Sequence, residues 1–502
     1  MGITFTQPVQ ADGPHHAEAA AGNARVADEA SEALHAALNG DSEHVRFLLK
    51  AAAGAGKSYV LKRLVQEVLG TDRCRRVAIT AFTNKQIHPL AIDIAKALGK
   101  NKVCIFVAKD RVPELPTDVM THVSVAAKTA EIPITAQVVI STSHKLGAIG
   151  EFKRQKDHLG AAANGTTPYD VLFVDEAWQL PHHLFDKVSA AAPLWVGVGD
   201  VGQLPPLEVG SNPWRGDSGH NPYRAWPTDY TDGKDPEKTW ERELPAVWRP
   251  PAGALALWRA FYPEWGELNC VAAPGDRGMH FGGGGQAYEI WSQVATGVPT
   301  LVEVESLPPA DAADIDEPLV RFVESLLSEL FKIDLTLGIA TYDENLEPSE
   351  SQVWQLRNHD GDPLVAVLAT RNQTVDDAEE AVERLRARFN LTEKDIVAST
   401  VDSWQGQTNG ITVALHPLTG AADLNDFNSA FGRLAVTCTR ATHGLLMVSR
   451  PGLDTLLGEA PARPGTPFGE PGSRQLPRQT HQRILATFAR GTVIASADND
   501  QE

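Results

Sequence analysis

One stretch near the start of the chain carries residues that could bind phosphate. The segment LLKAAAGAGKSYVLKRLV occupies positions 48–65, and its small residues from Ala51 to Gly56 are followed directly by Lys57 and Ser58. Small residues let backbone N–H groups curl around phosphate oxygens, and the helix that follows directs its positive end at them. Lys57 would contact the β and γ phosphates, and the Ser58 hydroxyl would hold Mg²⁺. The spacing predicts a nucleoside triphosphate site. Ala51 stands where this pattern usually has glycine, and the alternative is a glycine-rich turn that happens to precede a lysine.

Two carboxylates follow another apolar run, in VLFVDEAWQLP, where a strand would end at Asp175 and Glu176. The carboxyl edge of a parallel sheet is where α/β folds bind ligands, so the phosphate loop would lie at the same edge. Asp175 is suited to hold Mg²⁺, and Glu176 to orient or deprotonate the water that attacks the γ-phosphate. A later strand in LWVGVGDVGQLPP ends at Asp200, and Gln203 could sense the γ-phosphate through a hydrogen bond. A solvated acidic turn and a surface glutamine are the ordinary alternatives.

The elements that would position these groups form two alternations of strand and helix. Short β-branched runs between helical patterns predict parallel sheets with helices on both faces. The predicted fold class is therefore α/β, with two P-loop-type lobes, inserted segments and flexible termini. The predicted strands are 77–80, 138–142, 171–177 and 194–200 in the first lobe, and 364–370, 396–400, 411–415 and 444–449 in the second.

Composition places the boundaries between these parts. We expect a flexible polar tail over residues 1–23, and a helix from Ala24 to Leu38 that opens the first lobe. That lobe covers 24–213, with a small insertion at about 100–135. A linker rich in aromatic residues, Pro and Gly covers 214–243, and the second lobe covers 244–455, with an insertion at about 270–330. Residues 456–502 form a Pro/Gly-rich arm that could bind a protein partner, with one helix at Gln479–Arg490.

Bulk properties exclude several classes of protein. The 502 residues carry a formal net charge of −19, which argues against a broadly basic surface but allows a local basic groove. The four cysteines are scattered without paired spacing, which supports neither a zinc site nor a disulfide framework and favours a reducing cytoplasm. The first residues lack the basic start and apolar core of an export signal, and no apolar run is long enough to span a membrane. We therefore expect a cytoplasmic protein with no membrane segment.

Further motifs follow one another in an order that resembles a known family. Beside DEAWQ (175–179) and GDVGQLPP (199–206), the chain contains ITAFTNKQI (79–87), VVISTSHKLG (138–147), LPAVWRPP (244–251), FYPEWGEL (261–268), LATRNQ (368–373), STVDSWQGQTNGITVAL (399–415) and RLAVTCTRATHGLLMVS (433–449). This series resembles the superfamily 1 helicases. The DEAxQ element resembles the branch, superfamily 1B, that includes the nonsense-mediated-decay RNA helicase and its DNA-acting relatives.

The resemblance implies two recombinase-like (RecA-like) lobes with ATP between them. Trp248 would stack on adenine, and Arg249 and Arg440 would reach the γ-phosphate. The implied catalytic residues are Lys57, Asp175, Glu176, Gln203, Arg249 and Arg440. The ATP-binding residues are Gly54, Ala55, Gly56, Lys57, Ser58, Tyr59, Trp248 and Gly406, and Mg²⁺ would be held by Ser58 and Asp175. The upstream glutamine that commonly contacts adenine in this family is not evident before Arg46.

The resemblance also implies a path for a nucleic-acid strand along matching edges of the two sheets. Hydroxyl and backbone N–H groups there would hold sugar and phosphate without strong sequence preference. The implied contacts are Thr83, Asn84, Thr142, Thr370, Thr400 and Trp404. For Phe82 and Trp404 we favour core packing over base stacking, because buried aromatic residues are common in cores.

These features favour an ATP-dependent helicase or translocase on single-stranded nucleic acid, with 5′-to-3′ polarity implied by the resemblance alone. An Ala-rich, Lys-poor composition, which is typical of bacterial and phage proteins, favours DNA, and an RNA helicase is the alternative. A nucleotide-gated sensor ATPase without processive unwinding is a second hypothesis. It is motivated by the acidic charge and by Gln407, Thr408 and Asn409, which stand where the family usually has an acidic residue. A small-molecule kinase has little support, because P-loop kinases do not need a second lobe with an arginine motif. The oligomeric state stays open.

Overall fold

A computed structural model gives the fold of the chain. It describes residues 3–82, 84–202, 206, 213–214, 221–282, 287–312, 315–333, 335–355, 361–425, 427–460 and 477–495, without the side chains of 84–86 and 349–352. Two large parallel sheets dominate the described part, one for each predicted lobe.

An eight-stranded parallel sheet forms the first lobe, with strand order β4-β3-β5-β2-β6-β7-β1-β8. The central strands are apolar and buried along their whole length, as expected when helices cover both faces. The strands are β1 (Arg46–Ala51), β2 (Val77–Ala81), β3 (Val103–Phe106), β4 (Ser124–Ala126), β5 (Val138–Thr142), β6 (Val171–Asp175), β7 (Leu194–Gly199) and β8 (Thr239–Leu244).

Helices cover this sheet, and the longer ones bury an apolar stripe. In α2, buried residues recur at helical spacing, as the sequence predicts, at Val60, Leu61, Leu64, Val65 and Val68. The helices of this part are α1 (His16–Asn39), α2 (Lys57–Leu69), α3 (Asn84–Leu98), α4 (Thr117–His122), α5 (Ser143–Leu146), α6 (Glu151–Leu159) and α7 (His182–Ser189). Short 3₁₀ helices lie at Lys100–Lys102, Lys109–Glu114, Thr129–Glu131, Ala177–Gln179, Trp226–Asp229 and Ala252–Ala254.

The second lobe is built on a six-stranded parallel sheet, with two small sheets beside it. The small sheets pair β9 (Ala246–Val247) with β10 (Asn269–Cys270), and β11 (Arg277–His280) antiparallel with β13 (Thr336–Tyr342), which pairs with β14 (Pro348–Gln355). The main sheet contains β12 (Thr300–Glu305), β15 (Val365–Ala369), β16 (Ile396–Thr400), β17 (Asn409–Leu415), β18 (Ala441–Ser449) and β19 (Ala489–Ile494), in the order β16-β15-β17-β18-β12-β19. The helices are α8 (Leu255–Phe261), α9 (Tyr288–Val294), α10 (Glu317–Lys332), α11 (Asn372–Phe389), α12 (Phe431–Cys438), α13 (Leu453–Glu459) and α14 (Pro477–Leu485).

The predicted fold class is confirmed: the two sheets have the arrangement of two RecA-like lobes, and the eight predicted strands are all present and parallel. Several segments that were expected to lie outside the lobes contain strands of the main sheets. The predicted insertion at about 100–135 contributes β3 and β4 to the first sheet, and the predicted linker contributes β8. The predicted insertion at about 270–330 contributes β12, which lies between β18 and β19. Turn-forming and charged residues around these short strands hide them from sequence patterns.

Both chain ends also differ from the prediction. Helix α1 begins at His16 rather than Ala24, and Ile3 and Phe5 pack against the core of the second lobe. The backbone of Thr6 exchanges two hydrogen bonds with Arg490, at 2.9 and 3.0 Å. The prediction of a flexible tail is therefore wrong for residues 3–23. At the other end, α14 stops at Leu485 and β19 joins the second sheet, so residues 477–494 are part of the lobe rather than of an extended arm. Partners distant in sequence fix both segments, and periodicity does not show such partners.

Candidate functional site

The phosphate loop connects β1 to α2, and its backbone has the shape that its glycines allow. Gly54 and Gly56 have φ values of 76° and 90°, in the left-handed region that side chains disfavour. A Cβ added at Gly54 would lie 2.3 Å from the Cβ of Arg249, so the loop and the Arg249 backbone are in close contact. The predicted tight turn followed by a helix is therefore present, and Arg249 lies beside it.

Trp258 in helix α8 and Tyr262 directly after it bind the backbone N–H and carbonyl of Ala53 in this loop. The Ala53 N–H donates to the hydroxyl of Tyr262 at 3.1 Å. The Ala53 carbonyl accepts from the indole N–H of Trp258 at 2.9 Å. All three residues are buried, so each bond forms away from competing water and helps to fix the loop.

Helix α1 also holds the phosphate loop in place. The Asn23 side-chain amide donates to the Ala55 carbonyl at 3.0 Å and to the Ala246 carbonyl at 2.8 Å, and its oxygen accepts from the Ala246 N–H at 2.8 Å. Two residues further on, the Trp248 N–H donates to the Gly54 carbonyl at 2.8 Å. The buried Asn23 therefore ties the loop to the strand that leads to Trp248 and Arg249.

The carboxylates lie where the sequence predicts, at the carboxyl end of β6. Glu176 adopts a left-handed conformation with φ 49°, and its Oε1 lies 2.6 Å from the Nζ of Lys57. The Asp175 carboxylate accepts the Glu176 N–H at 3.0 Å. A residue other than glycine in this conformation costs about 1–2 kcal/mol, which is tolerated here because the turn directs Glu176 at the phosphate loop.

The same pair of carboxylates has the chemistry to hold a cation. Burial and the neighbouring charge of Glu176 raise the pKa of Asp175, while Lys57 acts in the opposite direction. The Oε2 of Glu176 is buried and accepts no hydrogen bond from the described part of the chain. The Lys57 amine lies near the buried Asp175 carboxylate and the partly buried Glu176 carboxylate, so a divalent cation held by Asp175 and the Ser58 hydroxyl fits the site.

Asp200, which follows β7, lies beside the phosphate loop. Its carboxylate accepts the Gly202 N–H at 2.8 Å and the Tyr262 hydroxyl at 2.8 and 2.9 Å. Burial raises the pKa of Asp200, and the charge of Lys57 lowers it. Tyr262 thus joins two segments of the first lobe that each approach the predicted nucleotide site.

Two guanidinium groups approach this site from the segment after β9 and from the end of α12. Arg440 is 1% exposed, and its Nε has no hydrogen-bond partner within the described residues. Burial lowers the pKa of Arg440, while the charges of Asp200 and Glu176 act in the opposite direction. Arg249 donates to the Thr439 carbonyl at 3.1 Å. Burial and the nearby charge of Arg440 lower the pKa of Arg249 to about 9. Two like charges held together in this way would be stabilised by an anion such as a terminal phosphate.

Other predicted ATP-binding residues differ in how closely they approach the loop. The Trp248 ring lies 3.7 Å from a Cβ added at Gly56, so it is beside the loop. Ser58 is exposed in the first turn of α2, and Tyr59 is 65% exposed. Gly406 lies in an exposed turn before β17, and a Cβ added there would meet no atom within 4 Å. The structure therefore brings Trp248 to the loop and gives Gly406 no contact with it.

The predicted nucleic-acid contacts lie at the carboxyl ends of strands in both sheets. Thr142 ends β5 opposite Ala81, and Thr400 ends β16 opposite Ala369, with Thr370 next in the chain. Phe82 is partly buried and packs against a hydrophobic cluster of the first lobe. The Trp404 ring packs against another hydrophobic cluster, and its indole N–H donates to Asn409 at 3.0 Å. Thr83, Gln203 and the side chain of Asn84 lie outside the described residues.

Sequence patterns missed three residues that hold this site together. Asn23, Trp258 and Tyr262 bind backbone atoms of the phosphate loop, and such contacts leave no spacing rule in the sequence. Tyr262 lies in the FYPEWGEL motif, so the resemblance gave its position but no role. Asn23 lies in a segment that was expected to be flexible.

The sequence matches one family model, and the structure is similar to several solved structures. Residues 34–208 match the model of an AAA domain, a range that runs from α1 to the segment after β7. Among solved structures the chain is similar to the PRRSV helicase (16% identity, TM-score 0.37, 92% of this chain and 66% of that one) and to Arterivirus nonstructural protein 10 (helicase) in complex with DNA (14%, 0.38, 82% and 62%). It is also similar to the DUF1998 helicase MrfA bound to DNA (9%, 0.43, 97% and 56%). The chain spans between about half and two thirds of the length of these chains. No curated protein matched the sequence.

The fold and the site define a P-loop nucleotide-binding protein with two RecA-like lobes. Residues 34–208, which include the phosphate loop, Asp175, Glu176 and Asp200, match an AAA domain, and the ordered motif series resembles that of the superfamily 1 helicases. None of the helices in the described part of the chain has the length and apolar character needed to span a membrane.

Proposed function

We propose that this chain is an ATP-dependent helicase or translocase that moves 5′-to-3′ on single-stranded nucleic acid, with DNA favoured over RNA, and that it belongs to superfamily 1B. The observation that carries the proposal is the convergence of Lys57, Glu176 and Arg440 on the phosphate loop. Lys57 and Glu176 form a direct ion pair, and the charge of Glu176 acts on the buried Arg440. ATP-hydrolysing motors use this combination of a loop lysine, a carboxylate and an arginine from a second element.

The Lys57–Glu176 pair gives the proposal a first chemical step. When the phosphates of ATP enter the loop, Lys57 would turn from Glu176 to their oxygens. The released carboxylate of Glu176 would then orient the attacking water and accept its proton. Mg²⁺, when bound, would neutralise charge on the β and γ phosphates.

Arg249 and Arg440 would stabilise the charge that develops on the γ-phosphate as its bond to ADP breaks. Both arginines lie within the second lobe, so their approach to the phosphates depends on how that lobe sits against the loop. Hydrolysis and release would then change the distance between the sheet edges that carry Thr142 and Thr400. A strand held by backbone and hydroxyl contacts at those edges would advance in each cycle.

The direct test is ATP hydrolysis with and without single-stranded DNA. We expect stimulation by the strand in the wild type and loss of at least about a hundredfold in kcat for Glu176→Gln, because the general base is removed. Glu380→Gln is the matched control, since Glu380 lies in α11 and its side chain is 80% exposed. Turnover that is the same with and without any nucleic acid would contradict the proposal.

A strand-displacement assay separates the main proposal from a sensor ATPase. The duplex substrates carry a 5′ or a 3′ single-stranded tail, in DNA and in RNA versions, at one stated salt concentration. Unwinding of the 5′-tailed DNA alone supports the full proposal, and unwinding of tailed RNA alone supports the RNA helicase. Strand-stimulated hydrolysis without unwinding of any duplex supports the nucleotide-gated sensor, which the departures at Gln407, Thr408 and Asn409 motivate.

The proposal includes a reducing compartment such as the cytoplasm. All four cysteines are free and buried in the structure, which is typical of a protein that folds without disulfides. A protein partner for the segment after residue 456 stays part of the proposal, and residues 461–476 of that segment lie outside the described residues.

A further inference from the structure

We infer that Tyr262 is a positioning residue that couples the phosphate loop to Asp200, and through Asp200 to the two arginines. This inference rests on the proposed ATP hydrolysis and assigns a role to the FYPEWGEL motif. Tyr262 directly follows α8, and its hydroxyl has two sets of partners. It accepts the Ala53 N–H at 3.1 Å and donates to the Asp200 carboxylate at 2.8 Å.

The hydroxyl is held in a tightly packed place. Tyr262 is 3% exposed and Asp200 is 2% exposed. A Cβ added at Gly202 would lie 2.6 Å from the Tyr262 ring, so the ring also contacts the segment that leads to Gln203. A single buried hydroxyl therefore fixes the relative position of the loop and of the turn after β7.

Asp200 carries the coupling further. Its charge acts on Lys57, on Arg249 and on Arg440. A carboxylate that attracts one loop lysine and two arginines favours the position in which all three cations lie near the phosphates. The Tyr262 hydroxyl fixes where that carboxylate points, so its loss should weaken the approach of the arginines more than the binding of ATP.

Helix α8 also touches the element that leads to Arg440. The rings of Phe261 and Phe431 lie 5.5 Å apart at the start of α12. The last turn of α8 is therefore in contact with the phosphate loop on one side and with α12 on the other. A shift of α12 would be felt at Tyr262 through this aromatic contact.

The test is steady-state hydrolysis by Tyr262→Phe, which removes the hydroxyl and keeps the ring. We expect kcat to fall about tenfold, since a buried hydrogen bond to a charged group is lost, and the KM for ATP to change less than about twofold. Tyr169→Phe is the matched control, because its buried hydroxyl donates to Gln155 at 2.8 Å elsewhere in the first lobe. That variant should lose comparable thermal stability and keep wild-type kcat.

A double-mutant cycle and a pH profile exclude a purely structural role. Asp200→Asn combined with Tyr262→Phe should lower kcat no more than about twofold beyond Asp200→Asn alone, because both changes break the same link. The hydrogen bond from the Tyr262 hydroxyl lowers the pKa of Asp200. The charged groups that interact with Asp200 or with its neighbours are Lys57, Glu176, Arg249 and Arg440. The acid limb of the kcat profile should therefore move to higher pH in Tyr262→Phe.

The outcomes separate this inference from the proposed function. A raised KM with unchanged kcat would confine Tyr262 to the loop, and additive effects or an unshifted acid limb would assign it to packing; each result overturns the inference alone. Wild-type protein that does not hydrolyse ATP overturns the proposed function and this inference with it.

Discussion

Asn23 offers a quantitative test of how the phosphate loop is held. Its amide makes three hydrogen bonds to backbone atoms of Ala55 and Ala246 at 2.8–3.0 Å, and the side chain is 6% exposed. Asn23→Ala leaves those backbone groups buried without partners. At about 1 kcal/mol for each lost bond, we expect a loss of about 3 kcal/mol in the free energy of unfolding. The KM for ATP should rise about tenfold, since the loop loses one of its fixed points.

Asn23→Asp tests whether the side-chain amide faces the two carbonyls. Aspartate keeps the shape and one acceptor bond from the Ala246 N–H, but its second oxygen would face the carbonyls of Ala55 and Ala246. Repulsion between a buried carboxylate and two carbonyl oxygens should make this variant at least as unstable as Asn23→Ala. Asn39→Asp, at the exposed end of the same helix, should cost less than about 1 kcal/mol.

The assay is urea denaturation of the three variants beside the wild type, followed by ATP titration of those that fold. If Asn23→Asp lowers the free energy of unfolding less than Asn23→Ala does, the amide does not face the two carbonyls and Asn23 does not hold the loop in this way. Equal effects for Asn39→Asp would show that added negative charge on α1, rather than the lost bonds, sets the result.

Three further predictions concern the same site. Arg440→Lys should lower kcat about 10³-fold while the affinity for a fluorescent ATP analogue, measured by anisotropy, changes little; a matching loss of affinity would contradict the role in hydrolysis. Burial raises the pKa of Asp175, so its ionisation costs stability as pH rises above the ordinary value of 3.8. Asp175→Asn should therefore melt at a higher temperature than the wild type at pH 8, with a difference that shrinks toward pH 5, although it hydrolyses no ATP. Gly54→Ala should lower both melting temperature and ATP affinity, because its Cβ would meet Arg249 at 2.3 Å where φ is 76°; wild-type values for both would show that the loop relaxes easily.

Sequence patterns predicted the central strands of both lobes because most of them are apolar and buried. VVIST at 138–142 and IVAST at 396–400 have the bounds of β5 and β16. The phosphate loop and the carboxylates could also be predicted from the sequence, since their chemistry needs fixed spacing beside a strand end. These parts depend on local sequence, which is all that periodicity and motifs report.

Other strands were missed because they depend on partners far along the chain. β12 has the sequence TLVEVE, in which two glutamates interrupt the apolar run, and its place between β18 and β19 is set by pairing. β19 follows a segment rich in Pro and Gly, and its neighbour across the Arg490 bridge is Thr6, near the other end of the chain. Neither pairing follows from the composition of the strand itself.

The same distinction explains why the site was predicted only in part. The residues expected to touch phosphate, such as Lys57, follow from the motif, but the residues that hold the loop act on its backbone. Asn23 in α1 and Tyr262 directly after α8 each bond to backbone atoms of the loop that almost any amino acid would supply. Both elements also contact the second lobe or the strand leading to Arg249, so the shape of the loop depends on where that lobe sits. In the proposed motor, this dependence would let both lobes respond to ATP binding, so that hydrolysis would move one lobe against the other.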